Sequence, residues 1–289
     1  MGANYPSCVI SCSWDETIKI WRVDDCFKEP SENESVAKVT SSWKTLKGHS
    51  NRICCVIVFE VQSSAGAGAT RPLLASGSTD GSIKIWNFEL QETDGGTDIN
   101  TDCLFTIIDE INITWYLCLA FLYTPEDGHV LISGSKDNFV RLWSLDEVVA
   151  GTSVEGTSSK PLRVLQGHTS KINNLCLTTE TTSGHFDTEC LSEKREYRIF
   201  TTCHDLVVRV FSLQGELLRT LNEVPTPTTS LSICDSLRDK CDIVITAGVN
   251  GGIRVWRSLT GELLHVFSGF IGSCTAVHAI PSPDQKGDV

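Results

Sequence analysis

No apolar run in the 289 residues approaches the length that spans a bilayer. The N-terminus lacks a basic stretch followed by an apolar one, which argues against a secretory leader. Positive charge is in deficit, with 24 Lys and Arg against 36 Asp and Glu, for a net charge of -12. A general nucleic-acid binder needs a basic face, so that class is disfavoured. No CxxC pair occurs among the thirteen cysteines. Cys8 and Cys12 lie too far apart for one metal, and Cys54 and Cys55 point to opposite faces of a strand. The thiols are therefore expected free, in a reducing compartment inside the cell and in the cytoplasm rather than the nucleus. No segment sustains a helical period. A phosphate loop, a metal box and a clustered acid–base set are all missing, so no cofactor or metal is expected.

What the chain does contain is a repeat. "VISCSWDETIKIW" ends at Trp21, "LASGSTDGSIKIW" at Trp86, "LISGSKDNFVRLW" at Trp143, "IFTTCHDLVVRVF" at Phe211 and "VITAGVNGGIRVW" at Trp256. Each has an apolar start, a hydroxyl residue, a polar turn, then alternation into an aromatic. A period of two on both arms predicts a β-hairpin in each. Gly81 and Gly251 sit in the turns, where a positive φ is often required. Further strands flank each hairpin, as in "SWKTLKGHSNRICCVIVF" and "PLRVLQGHTSKINNLCLT". Each unit is thus four strands, a to d, with b–c as the hairpin.

The "GH" at Gly48-His49 and Gly167-His168 carries a family resemblance. So do "SGS-x-D" at Ser76 to Asp80 and Ser133 to Asp137, and "IKIW" or "RLW" at the strand ends. On these motifs the chain resembles the WD-repeat family, across nearly its whole length. The resemblance implies an all-β β-propeller of four-stranded blades, here a single domain over residues 1–289. Five hairpins imply five blades; the alternative is an incomplete seven-bladed ring. The chain opens at a strand b and stops after a strand a, "SCTAVHAI", so that segment is expected to pair beside "SCVIS".

Within a blade, histidine, hydroxyl, aspartate and indole can satisfy one another where water is excluded. His49, Ser76, Asp80 and Trp86 make a full set. His168, Thr201 and Asp205 lack the indole, and the Ser11 and Ser133 blades lack an evident histidine. Thr246 and Trp256 have Asn250 in place of aspartate. Weaker ties are expected in these four, and His49 should matter more to stability than Glu110 near the next blade's turn. Ser, His and Asp recurring blade by blade form a structural set, not a catalytic one.

The long insertions, within Asp25 to Ser42, Gln62 to Pro72, Gln91 to Asp102, Glu147 to Lys160 and Glu180 to Glu196, fall in a–b and c–d loops and show no strand pattern. Several are acidic and suit a basic partner or solvent. The opposite, top face carries the residue before each turn acid or its substitute: Trp14, Thr79, Lys136, His204 and Val249. Arg52 and Lys171 follow the "GH" turns, and Trp115 and Tyr116 begin a strand near the same rim. These are the candidate partner contacts, because aromatic and Arg residues dominate binding hot spots. The expected role is a non-catalytic protein–protein interaction scaffold within a larger complex, binding proteins or peptides, without nucleic acid or membrane insertion. The alternatives are a ubiquitin-ligase substrate-recognition subunit, with Arg52, Lys136 and Lys171 on a phosphorylated peptide, and an enzyme with a site in the propeller channel.

Overall fold

The computed structural model describes residues 7–23, 42–62, 70–93, 96–109, 111–151, 160–181, 195–221, 226–236 and 241–279. Glu110 and most of the acidic insertions lie outside them. Five antiparallel sheets follow one another along the chain. The first holds β1 (Cys8–Cys12), β2 (Thr17–Arg22) and β3 (Lys44–Lys47), in that order. The second begins with β4 (Ile53–Gln62), β5 (Thr70–Ser78) and β6 (Ser82–Asn87). A separate hairpin of β7 (Glu89–Thr93) and β8 (Gly96–Asn100) intervenes before its last strand, β9 (Cys103–Ile108). The third comprises β10 (Tyr116–Thr124), β11 (Gly128–Ser135), β12 (Val140–Ser144) and β13 (Arg163–Leu165), with the short helix α1 (Asp146–Ala150) before β13. The fourth is β14 (Ile172–Thr181), β15 (Arg195–Cys203), β16 (Val208–Ser212) and β17 (Leu217–Leu221). The fifth is β18 (Thr228–Ser236), β19 (Cys241–Gly248), β20 (Ile253–Arg257) and β21 (Leu263–Phe267). Four of the five sheets run in the order a–b–c–d, and the first holds b–c–d among the described residues, the strand order of WD-repeat blades.

The chain divides into two compact units, residues 1–133 with 142–162, and 134–141 with 163–289. In the first, Leu73, Ala75, Ile83 and Ile85 are fully buried and pack with Tyr116 and Trp143. On a neighbouring core, Ile18, Ile20 and Leu46 meet Leu74 and Trp86. In the second, Phe200, Val208, Val210 and Leu221 meet Leu231, Val244 and Trp256. Strand alternation explains this: Leu73 and Leu74 are adjacent, point to opposite faces and enter different cores.

Two expectations are corrected here. The insertion at Gln91 to Asp102 does form strands, in the β7–β8 hairpin. Its Ile99 is buried among Ile18, Ile20 and Phe88, and Lys44 Nζ pairs with Asp98 at 2.6 Å; one apolar anchor suffices to order a polar hairpin. The described part of "SCTAVHAI", residues 273–279, is assigned to no sheet. It lies along β18: Cys274 N donates to Gly248 O (3.2 Å), Val277 N to Ser230 Oγ (3.1 Å) and Ala279 N to Ser232 Oγ (3.0 Å). Among the described residues the first sheet has three strands.

All five b–c turns place the residue after the turn acid, or after Asn250, in the left-handed region. Gly81 and Gly251 have φ +86° and +74°, but Glu16, Asn138 and Leu206 adopt 68°, 76° and 66°. A branched side chain there costs about 1–2 kcal/mol. Leu206→Gly is therefore expected to raise the urea midpoint, with a gain in unfolding free energy of up to about 1 kcal/mol after the added chain entropy. Gly81→Ala should lower it, because a Cβ there lies 2.6 Å from Ile113 Cγ2.

Candidate interaction surface

In the second sheet four side chains form one hydrogen-bonded chain. His49 Nδ1 lies 2.8 Å from Asp80 Oδ2, and a carboxylate only accepts, so Nδ1 carries the proton. In the neutral ring Nε2 then accepts from Ser76 Oγ (2.8 Å). Trp86 Nε1 donates to Ser76 from the other side (2.9 Å). Ser82, absent from the expected set, donates to Asp80 Oδ1 at 2.7 Å. Burial opposes ionisation of Asp80, but the His49 and Ser82 hydrogen bonds outweigh it and hold the carboxyl far below the usual range.

The fourth sheet repeats the arrangement. His168 reaches Asp205 Oδ2 (3.0 Å) and Thr201 Oγ1 (2.7 Å), with the Phe211 ring 6.5 Å from the imidazole. Arg209 adds a cation, Nη1 donating to Asp205 at 2.6 Å. Burial pushes the Cys203 thiol up to about 11 and pulls His168 down. His168, Cys203 and Asp205 bring possible metal-ligand atoms within 4.8 Å of one another. Arg209 already supplies the positive charge at Asp205, so the chemistry fits an internal hydrogen-bond network.

The third sheet corrects the expectation of a weakened tie. It lacks the histidine, but Arg141, only 1% exposed, donates to Asp137 Oδ2 at 2.6 Å and to Ser135 Oγ at 2.9 Å. The signal was present in "VRLW" and "VRVF": Arg141 and Arg209 each stand four residues after the turn aspartate. In the first sheet Trp21 donates to Ser11 (2.9 Å), while Asp15 closes only its own turn, through Thr17 (2.7 Å). In the fifth, Trp256 donates to Thr246 (3.0 Å) and Asn250 accepts from Thr226 (2.9 Å).

The top-face candidates fall into both units. In the first, Trp14 is 70% exposed and the Arg52 guanidinium lies 4.4 Å over its ring. Thr79 N donates to Arg52 O (2.9 Å), tying that loop to the next turn; the Thr79 side chain itself is half-buried. Trp115 is exposed, but Tyr116 is fully buried and meets Trp143 edge-on at 6.4 Å. Tyr116 is therefore removed from the contact set: the strand begins there, and alternation turns it into the core. Sequence reading missed Ile111 and Ile113, 82% and 78% exposed. They project from a turn fixed by Asp109 Oδ1, which accepts from Ile111 N (3.0 Å) and Asn112 N (3.3 Å). In the second unit Lys136 and His204 are exposed. Burial, and then nearby Lys171, lowers the His204 pKa.

A sequence model of the WD domain, G-beta repeat, matches residues 4–22, 40–87 and 114–144. This chain belongs to the WD-repeat family. The fourth and fifth sheets lie beyond those matches but carry the same hairpin. Apoptotic protease-activating factor 1 of Danio rerio is 24% identical over 90% of this chain and 22% of its own length. WD repeat-containing protein pop1 of Schizosaccharomyces pombe is 24% identical over 55% of this chain and 23% of its own. Nuclear distribution protein PAC1 of Arthroderma benhamiae is 30% identical over 47% of this chain and 23% of its own. The chain thus spans under a quarter of the length of each of these relatives. WD-repeat proteins are in general non-catalytic scaffolds that bind other proteins.

The buried networks make stability pH-dependent in two stages. A depressed His168 pKa means its contribution is intact above the unfolded value of 6.5 and is lost as pH falls below it. Asp80, Asp137 and Asp205 are held below the unfolded value of 3.8, so theirs is lost only on further acidification. Urea midpoints from pH 7 to pH 3 should show both limbs. His168→Gln should flatten the upper limb, and Asp80→Asn the lower. His49→Ala removes a donor from Asp80 and the acceptor of the Ser76 hydroxyl proton, and is expected to cost about 1–3 kcal/mol at neutral pH.

Proposed function

We propose that this WD-repeat chain is an adaptor, a non-catalytic subunit that holds a partner protein on the rim of its first unit. The supporting observation is a run of exposed apolar side chains on fixed backbone. Trp14 stacks with Arg52, Arg52 is tied to Thr79, and Ile113 covers Gly81 of the same turn. Ile111 and Trp115 stand on either side of Ile113 in the chain. Preorganised aromatic and Arg anchors lose little entropy on binding, which is the character of a hot spot. The partner is a protein or peptide within a larger assembly, in the cytoplasm, with no role for nucleic acid or membrane insertion.

A finer alternative, substrate recognition in a ubiquitin ligase, draws on Lys171, whose field reaches His204. Lys136 and Lys171 of the second unit would then read a phosphorylated peptide.

Affinity capture followed by mass spectrometry tests both readings. Trp14→Ala with Ile113→Asp is expected to lose at least tenfold of the specific partner signal, since one hot-spot residue contributes about 2 kcal/mol or more. Glu92→Gln with Asp94→Asn should retain it. The reverse pattern means the wrong face was chosen. Loss on phosphatase treatment, with ligase subunits recovered, favours the alternative.

A further inference from the structure

The first and second sheets, both in the first unit, meet at a pair of cysteines. Ile53 N donates to Ser13 O at 3.1 Å. β1 ends at this bond and β4 begins there, so the two strands, which are in contact, run in opposite directions. Cys12 is one step back from Ser13, and Cys54 is one step on from Ile53. Beside a hydrogen-bonded pair in an antiparallel arrangement lies a closer, non-bonded pair, with Cα atoms about 4.5 Å apart. A disulfide requires Cα atoms about 4.4–6.8 Å apart. Cys12 and Cys54 occupy that closer pair.

Two further observations bear on the pair. β4 is bulged at this point: Ile53 pairs with Ser78 and Cys55 with Gly77, which leaves Cys54 without a partner on β5. A bulge re-aims the side chain it carries. The two thiols also lie in each other's field, since burial first and then the neighbouring Cys54 raise the Cys12 pKa. The second sheet shows that the close approach belongs to the junction itself. There "LASGSTD" stands for "VISCSWD", with Gly77 in the place of Cys12. A Cβ on Gly77 would lie 3.0 Å from the Tyr116 Cβ of the third sheet. That sheet has its strand β4 in place, so the approach does not depend on what flanks β1.

We propose that Cys12 and Cys54 form a reversible disulfide, a latch that joins the first sheet to the second when a low-molecular-weight disulfide is in excess. Cys54 attacks first: burial raises its thiol, but the Arg52 guanidinium opposes that and favours the thiolate. Its sulfur bonds to one sulfur of the small disulfide, whose S–S bond breaks. The expelled thiolate takes up the proton that Cys54 lost. Cys12 then attacks the Cys54 sulfur, and the second small thiolate leaves with the proton of Cys12. The cysteine pair gives up two electrons and the small disulfide becomes two thiols. Cys55 is held out of the exchange, its Sγ lying 4.0 Å from both Gly77 O and Tyr116 O. A transient bond of this kind suits a reducing compartment, where lasting disulfides are rare. Trp14 follows Cys12 closely and Arg52 closely precedes Cys54, so the latch sits beneath that stacked pair.

Glutathione disulfide added to the reduced full chain tests the proposal. The chain is then quenched with acid, alkylated and digested without reductant. Mass spectrometry should find the Cys12–Cys54 link about tenfold or more above every other cysteine pair, because proximity favours the second exchange. The oxidised chain should unfold at higher urea than the reduced one, since the link closes the loop between the two residues in the unfolded state. Cys12→Ser should instead accumulate the glutathione adduct on Cys54, with no rise in the urea midpoint. Cys54→Ser should give no link to Cys12, and Cys8→Ser, on the same strand, should leave the link intact. Trp14→Ala should cross-link normally, so the latch is judged apart from partner capture at the rim. Three results would overturn the proposal. The first is similar yields over several cysteine pairs. The second is a glutathione adduct that persists on Cys54 in the unmutated chain as it does in Cys12→Ser. The third is a full Cys12–Cys54 link with an unchanged urea midpoint.

Discussion

A tryptophan N–H reaching diagonally across a hairpin to a hydroxyl ten residues earlier recurs in four of the five sheets. Directly opposed residues in the register, such as Leu74↔Trp86 and Ser76↔Lys84, put serine and indole on one face two residues apart. A diagonal neighbour at that separation is within reach of a long side chain. In the second, third and fifth sheets the bond joins strands b and c where water is excluded; in the first, Ser11 is exposed. Around it the remaining polar residues arrange themselves. Ser76 receives the indole and donates to His49, and His49 donates to Asp80. The fourth sheet has Phe211 at the aromatic position, and its Thr201 relies on His168 instead.

This tie also explains why the turn acids can be buried at all. A half-buried carboxylate needs a donor or a cation. His49 serves Asp80, Arg141 serves Asp137, and both His168 and Arg209 serve Asp205. The same structural task is thus met by two chemistries, an imidazole from the loop before strand a or a guanidinium from strand c. Asp15, with neither, stays exposed and closes only its own turn. Blades differ in how their turns are held while keeping one strand order.

Rigid turns have a functional consequence. Because the b–c and d–a loops are tied to strand ends, as in the Thr79 N to Arg52 O bond, residues such as Trp14 and Ile113 are held out into solvent without loss of order. Apolar side chains displayed in this way mark an interaction site when they adjoin.

Sequence alone determined the repeat, the hairpins, the aromatic positions and four members of the His49 network, with Ser82 missed. All of these depend on local period and spacing, which the chain carries within a dozen residues. It also indicated the exposed Trp14 and its neighbour Arg52. Tertiary structure decided what depends on partners distant in the chain. Tyr116 and Trp115 share one motif, and only packing against Trp143 shows which turns inward. Ile111 and Ile113 look like core residues in composition, but the Asp109 turn lifts them into solvent. Arg141 looks like a surface cation until the missing histidine leaves Asp137 needing one. The β7–β8 hairpin follows the same rule: its sequence is polar loop in character, and Ile99 finds its place only once the neighbouring sheets have built a core to receive it.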